Sequence, residues 1–186
     1  MTENSAVLTE TRGRVLLITL NRPEAMNAIN TDLAQGLLAA VEELDSNDGL
    51  TAGVLTGNGR GFCSGMDLKA FAAGGPPKGF DQFLETGSKK PLIAAIEGFA
   101  LAGGLEVALT CDLLVAAKDA KIGIREVKVG LFAAGGALLR LPRRLPYSVA
   151  MEMALTGQPI TSDEAKNYGL VSRVTDNGGC LLYTSD

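Results

Sequence analysis

The chain contains no histidine. That excludes a Ser-His-Asp or Cys-His mechanism and any metal held by imidazole. Acid–base chemistry near neutral pH is left to carboxylates, lysine, tyrosine or cysteine. Tryptophan is also absent, and aromatic residues make up only 5% of the sequence. With so few rings to stack on bases and a formal net charge of −4, nucleic acid is not an expected partner. The three cysteines, Cys63, Cys111 and Cys180, lie far apart with neither CxxC nor zinc-type spacing. They read as small buried hydrophobes in a reducing compartment. No apolar run is long enough to cross a membrane. The N-terminal stretch MTENSAVLTETRG lacks the basic start and apolar run of a signal peptide, and it is acidic where a transit peptide is Arg-rich. A cytoplasmic protein with no membrane attachment is expected.

What the chain does have is glycine, 23 of its 186 residues, alongside 46% hydrophobic and 20% charged content. This is the composition of one soluble globular domain with a substantial core and many tight turns. Short apolar runs at Arg14–Leu20, Thr51–Thr56, Pro91–Glu97, Asp112–Ala117 and Lys121–Ile124 read as strands. Helical spacing appears over Thr31–Leu44, with Asn30 or Thr31 as N-cap. Further helices are expected from Met66, from Gly103–Gly104 to about Thr110, and over Leu131–Arg144, Ser148–Leu155 and Thr161–Tyr168. Ala72–Gly79 reads as a Gly/Pro-rich surface loop. Strands alternating with helices, the strands apolar on both sides, predict an α/β architecture.

The most informative stretch is GFALAGGLEVALTCDLLVAAKDAKIGIREVKVG, Gly98–Gly130. It sets Glu106 in an apolar segment directly after the Gly103–Gly104 pair, and Glu126 follows one short strand pair later. An ionised carboxylate in apolar surroundings is costly unless paired, hydrogen-bonded or used, and paired glycines let backbone N–H groups face a ligand. Together these predict an oxyanion-binding turn with two carboxyl groups near it. Glu126, between Arg125 and Lys128, also fits a surface ion pair on spacing alone. Arg22-Pro23 fits an ordinary strand-ending turn, and Asp67 a helix-start acid. The Arg143–Arg144 pair reads as a solvated helix end.

LNRPEAMNAI (Leu20–Ile29), GRGFCSGMDL (Gly59–Leu68), GFALAGGLEVALTCDLLVA (Gly98–Ala116), IREVKVG (Ile124–Gly130) and AMEMALTGQPITSDEAKNYGLVSRV (Ala150–Val174) occur in order. Together they resemble the crotonase, or enoyl-CoA hydratase/isomerase, superfamily over almost the whole chain. The resemblance implies a spiral of stacked ββα units that binds acyl-CoA thioesters and holds a thioester enolate between two backbone amides. On this sequence those amides are expected at Ser64 and Gly103. Glu106 is expected to orient and activate water, and Glu126 to supply the proton. Arg22, Ala25, Met26, Gly65, Met66, Asp67 and Gly104 are expected along the CoA and thioester path. The implied reaction is addition of water across the 2,3 double bond of a 2-enoyl-CoA. An isomerase or thioester hydrolase of the same superfamily is the alternative, with an inert acyl-CoA-binding or assembly protein, or a truncated fragment, outside the enzyme class. No metal or redox cofactor is implied, coenzyme A being part of the substrate.

Two departures from the family pattern stand out. Arg125 replaces a usual proline before Glu126, and its charge is expected to draw the Glu126 pKa down. The glycine-rich stretch beyond reads Ala133-Ala134-Gly135-Gly136-Ala137-Leu138. Residues 1–174 are expected to form the catalytic domain, without the C-terminal helices that in family members close over the acyl-CoA and pack subunits into trimers or paired trimers. Residues 175–186, with Cys180 and Tyr183, are expected to be a non-native or unstructured tail.

Overall fold

The computed structural model describes residues 5–183. The chain opens with a hairpin of β1 (Val7–Arg12) and β2 (Val15–Leu20), turning at Gly13 with φ +59°. β1 went unread in the sequence because most of it faces solvent and it shows no apolar alternation. A 3-10 turn at Pro23–Ala25 leads to α1 (Thr31–Ser46), whose N-cap is Asn30, its side chain accepting the Leu33 N–H. Leu33, Leu37, Val41 and Leu44 bury one face of α1; removing such a side chain from water stabilises by about 1.5–3 kcal/mol.

β3 (Ala52–Gly57) follows, then α2 (Leu68–Gly74), which starts two residues after Met66 because Asp67 is its N-cap and accepts the Ala70 N–H. The expected loop from Ala72 is shorter than read. α3 (Phe80–Thr86) fills what comes after it and buries Phe80, Phe83 and Leu84.

From here the order strand, strand, helix repeats. β4 (Leu92–Ile96) and β5 (Phe99–Leu101) precede α4 (Gly103–Ala108). β6 (Leu113–Ala117) and β7 (Lys121–Gly123) precede a 3-10 turn at Glu126–Val129, α5 (Ala137–Arg144) and α6 (Tyr147–Thr156). β8 (Ile160–Thr161), α7 (Ser162–Asn167) and β9 (Arg173–Thr175) close the series. The first strand of each pair joins one six-stranded sheet in the order β1-β2-β3-β4-β6-β9, and the second joins a smaller sheet, β5-β7-β8. Apart from the β1–β2 hairpin the large sheet is parallel. These are the stacked ββα units expected from the sequence.

Side chains alternate across the large sheet. Leu16, Ile18 and Leu20 of β2 enter the main core, whereas Leu17 joins Val54, Ala95, Val115, Ala117 and Cys180 on the opposite face. The described part of the expected tail is therefore packed. Thr175 ends β9, Cys180 is fully buried, and Glu97 accepts N–H groups from Gly178 and Cys180. Tyr183 closes a 3-10 turn that begins at Cys180; residues 184–186 lie outside the described residues. Among the described residues no helix is long and apolar enough to cross a membrane.

Candidate active site

Where β5 ends, Ala102 adopts φ +51° and ψ −130°, a conformation that costs a non-glycine residue about 1–3 kcal/mol. Its N–H donates to Gly123 O in β7's sheet, and its carbonyl accepts from Leu105 and Glu106. The strained turn thereby starts α4 at Gly103. Gly104 is buried against the preceding loop, where a Cβ would lie 2.4 Å from Cys63 O. The absence of a Cβ there serves close packing of α4 on the loop.

That preceding loop, residues 62–67, is held from both sides. Phe62 and Cys63 donate to Phe99 O, and Leu101 donates to Cys63 O, which attaches the loop to β5. Opposite, Ile29 donates to Gly65 O and Asp67 donates to Ile29 O, forming a parallel bridge between Ile29 and Met66. The fully buried Asn27 anchors the whole arrangement. Its side-chain amide donates to Asn58 O and Gly61 O, both at 2.9 Å, its Oδ1 accepts the Arg22 N–H, and its carbonyl accepts the Cys63 thiol.

This bonding corrects one expected donor. The Ser64 N–H donates to Met26 O at 3.1 Å and is not available to a ligand. Gly65, at φ +111°, carries the chain on to Met66. The N–H groups of Met66 and Gly103 donate to no acceptor among the described residues. They are neighbours: a Cβ on Gly103 would sit 3.5 Å from Met66 N. Sequence reading placed Met66 only on the thioester path. The swap was invisible there, because which amide is engaged depends on Met26, far off in sequence.

Glu106 sits in the first turn of α4 with only 6% of its surface exposed. Its Oε1 accepts the Ala137 N–H at 3.2 Å, and the Gly135 backbone lies against the carboxylate, its amide favouring the charged form. A Cβ on Gly135 would lie 2.6 Å from Glu106 Oε2 and 2.7 Å from Leu84 Cδ1, so only glycine allows this approach. The helix expected over Leu131–Arg144 accordingly begins only at Ala137, since the backbone before it wraps the carboxylate. Burial, reinforced by the negative charge of Glu126, pushes the Glu106 pKa from 4.5 up to about 7, against the pull of the Ala137 and Gly135 amides and the Arg140 charge.

Glu126 begins the 3-10 turn after β7 and is half-buried. It is not the surface ion-pair residue its neighbours allowed. Its Oε2 is buried with no hydrogen-bond partner among the described residues, and burial raises its pKa. The expected downward pull by Arg125 is overturned: that residue is exposed, and its backbone N–H, not its charge, opposes the rise. The two glutamates are thus brought within electrostatic reach, each with its charged form disfavoured.

Arg22 is engaged within the protein. Its guanidinium pairs with Asp67 at 3.3 Å and also donates to Ala28 O. Ala25 and Met26 accept backbone N–H groups from Ala28 and Ser64, while the Met26 side chain is 44% exposed. Arg144, read as a solvated end, is half-buried and donates to Cys111 O at 3.4 Å; Arg143 is exposed. Among the described residues no group of three or more His, Cys, Asp or Glu side chains could hold a metal ion.

Residues 10–179 match the family described as enoyl-CoA hydratase/isomerase. The chain belongs to that family. It is 41% identical, over 94% of its own length and 70% of the relative's, to the enoyl-CoA hydratase EchA19 of Mycobacterium tuberculosis. It is 40% identical to the (E)-benzylidenesuccinyl-CoA hydratase of Thauera aromatica, over 91% of this chain and 70% of that one. Among solved structures, an enoyl-CoA hydratase from Mycobacterium tuberculosis superposes with a TM-score of 0.92 at 50% identity, covering 97% of this chain and 73% of the other. The enoyl-CoA hydratase/isomerase match continues past residue 174, so residues 175–179 of the expected tail fall within it.

Proposed function

We propose that this family member is a hydratase that adds water across the 2,3 double bond of a 2-enoyl-CoA thioester. The observation that carries the proposal is the pair of carboxyl groups, Glu106 and Glu126, both disfavoured from ionising by burial and the first also by the second's charge, together with two unengaged amides. Hydration must deliver an oxygen to the β-carbon and a proton to the α-carbon. Two acids in one buried site, pushed to hold a proton between them, supply both functions. Relatives named as enoyl-CoA hydratases support this reading.

The thioester carbonyl is received by the Met66 and Gly103 N–H groups, the latter at the start of α4. As water adds to the β-carbon, negative charge passes to the carbonyl oxygen, where these donors stabilise it; losing one such donor costs about 3–4 kcal/mol in comparable sites. Glu106, one oxygen anchored by Ala137, orients the water and takes its proton. Glu126, with its unpartnered oxygen, protonates the α-carbon. The reaction draws on carboxyl groups and amides, and it calls for no metal or redox cofactor beyond the CoA carried by the substrate. Assembly as a trimer or paired trimers in the cytoplasm belongs to the same proposal. The exposed apolar side chains on and beside α5 and α6, among them Phe132, Leu139, Tyr147 and Leu155, support an assembled form.

Glu126→Gln separates this reaction from double-bond isomerisation. Product analysis with a 2-enoyl-CoA is expected to show hydration lost, whereas an isomerase acting through Glu106 alone retains most of its turnover on a 3-enoyl-CoA. Replacing Met66 by its α-hydroxy acid removes only the N–H. It is expected to lower kcat by about 10²-fold or more, and an unchanged kcat would remove Met66 from the proposed site.

A further inference from the structure

Arg140 lies on α5, and its guanidinium donates to backbone carbonyls of two segments, one of them the turn packed against Glu106. One terminal nitrogen donates to Gly135 O at 3.2 Å. The other donates to Leu84 O and, at 3.2 Å, to Glu85 O. Leu84 and Glu85 lie in the last turn of α3, where carbonyls have no partner within the helix. Gly135 packs directly against the Glu106 carboxylate, where a Cβ would lie 2.6 Å from Oε2, and two residues on Ala137 donates its N–H to Oε1. The approach is tight on both sides, since a Cβ on Gly136 would lie 2.2 Å from Arg140 Nη1.

We infer that Arg140 is a positioning residue for Glu106: its guanidinium ties the Gly135–Ala137 turn that holds the carboxylate to the C-terminal end of α3. A planar group with several fixed N–H donors can bridge three carbonyls of two segments at once, which an ammonium cannot reproduce. The inference deepens the hydratase proposal and rests on it for the effect on rate. The charged groups acting on Glu106 are Glu126, which disfavours its ionisation, and Arg140, which favours it. Removing Arg140 therefore acts twice, by freeing the turn and by withdrawing a compensating charge.

The test compares Arg140→Met and Arg140→Lys with the unaltered full-length protein. Side-chain carboxyl ¹³C-labelled glutamate is followed through a pH titration, the Glu106 signal being assigned by its loss in Glu106→Gln. In Arg140→Met the Glu106 titration is expected to move upward by about half a unit or more. Hydratase kcat is expected to fall about tenfold or more while KM changes less than about threefold. Arg140→Lys, which keeps the charge without the bridge, is expected to recover the titration but not the rate, and it carries the test if Arg140→Met does not fold. Folded variants with lowered Tm but an unmoved Glu106 titration and kcat within about twofold of the parent would overturn the inference and leave Arg140 a structural tie. The titration needs no turnover. A shifted Glu106 in a protein without hydratase activity would therefore sustain the Arg140–Glu106 link while rejecting the proposed reaction.

Discussion

At the scale of single residues, Glu106 combines a cost to the fold with a use in the site. Its carboxyl holds a proton more tightly in the folded chain, at about 7, than at its ordinary 4.5. Folding is therefore penalised progressively as pH rises through that window, and the penalty is complete above it. Glu106→Gln is expected to unfold at higher denaturant than the parent at pH 8, by up to about 3 kcal/mol, with the difference vanishing below about pH 4.5. Denaturant titrations at the two pH values check this; a variant less stable at pH 8 would contradict the raised pKa. Gly135→Ala would push a methyl group onto Glu106 Oε2 and Leu84 Cδ1, at 2.6 and 2.7 Å. Its kcat is expected to fall about 10²-fold, measured on protein whose circular dichroism is unchanged. Both glutamates were legible in sequence, one from its apolar setting and the other through the family resemblance. The engagement of Ser64 and the freedom of Met66 were not, because a backbone amide leaves no trace in its side chain of whether a distant carbonyl meets it.

At the scale of elements, segments with a clear apolar run or period were readable, down to the three-residue β7, whereas β1, β5 and α3 were not. α1 announced itself through five leucines and valines at helical spacing and an Asn cap, and it lies where the spacing put it. Asn30→Ala is expected to cost about 1 kcal/mol by leaving the Leu33 N–H without its acceptor, seen as a lower denaturation midpoint at unchanged slope. β5 is three residues long, too short for any period to show. α3 did carry a signal: Phe80, Phe83 and Leu84 fall at i, i+3 and i+4 between Gly79 and Gly87, but its glycine- and proline-rich approach masked it. The shortening of α5 is the instructive miss. Helical spacing runs on from Leu131, but the backbone at Gly135–Ala137 bonds a carboxylate from α4, and that tertiary contact overrides local preference.

For the whole molecule, two cores flank the large sheet, and the smaller one includes Cys180. A chain ended at Val174 loses Thr175 and Cys180 from that face and is expected to be destabilised by about 2 kcal/mol or more, read as a lowered Tm. An unchanged Tm would mean the segment after β9 adds nothing to the fold. The spiral of ββα units, and with it the meeting of β5, α4 and the 62–67 loop, was foreseeable through the family resemblance and not from periodicity. The meeting of loop and α4 depends on pairings such as Cys63 with Ala100, between residues that no local pattern connects. The most direct measurement is the loss of enoyl-thioester ultraviolet absorbance when a short 2-enoyl-CoA is mixed with the protein, with Glu106→Gln and Glu126→Gln alongside. Steady loss of absorbance in the parent and near-abolition in both variants is the predicted result. Equal turnover in the parent and either variant would contradict the assignment of hydration to this pair of carboxyl groups.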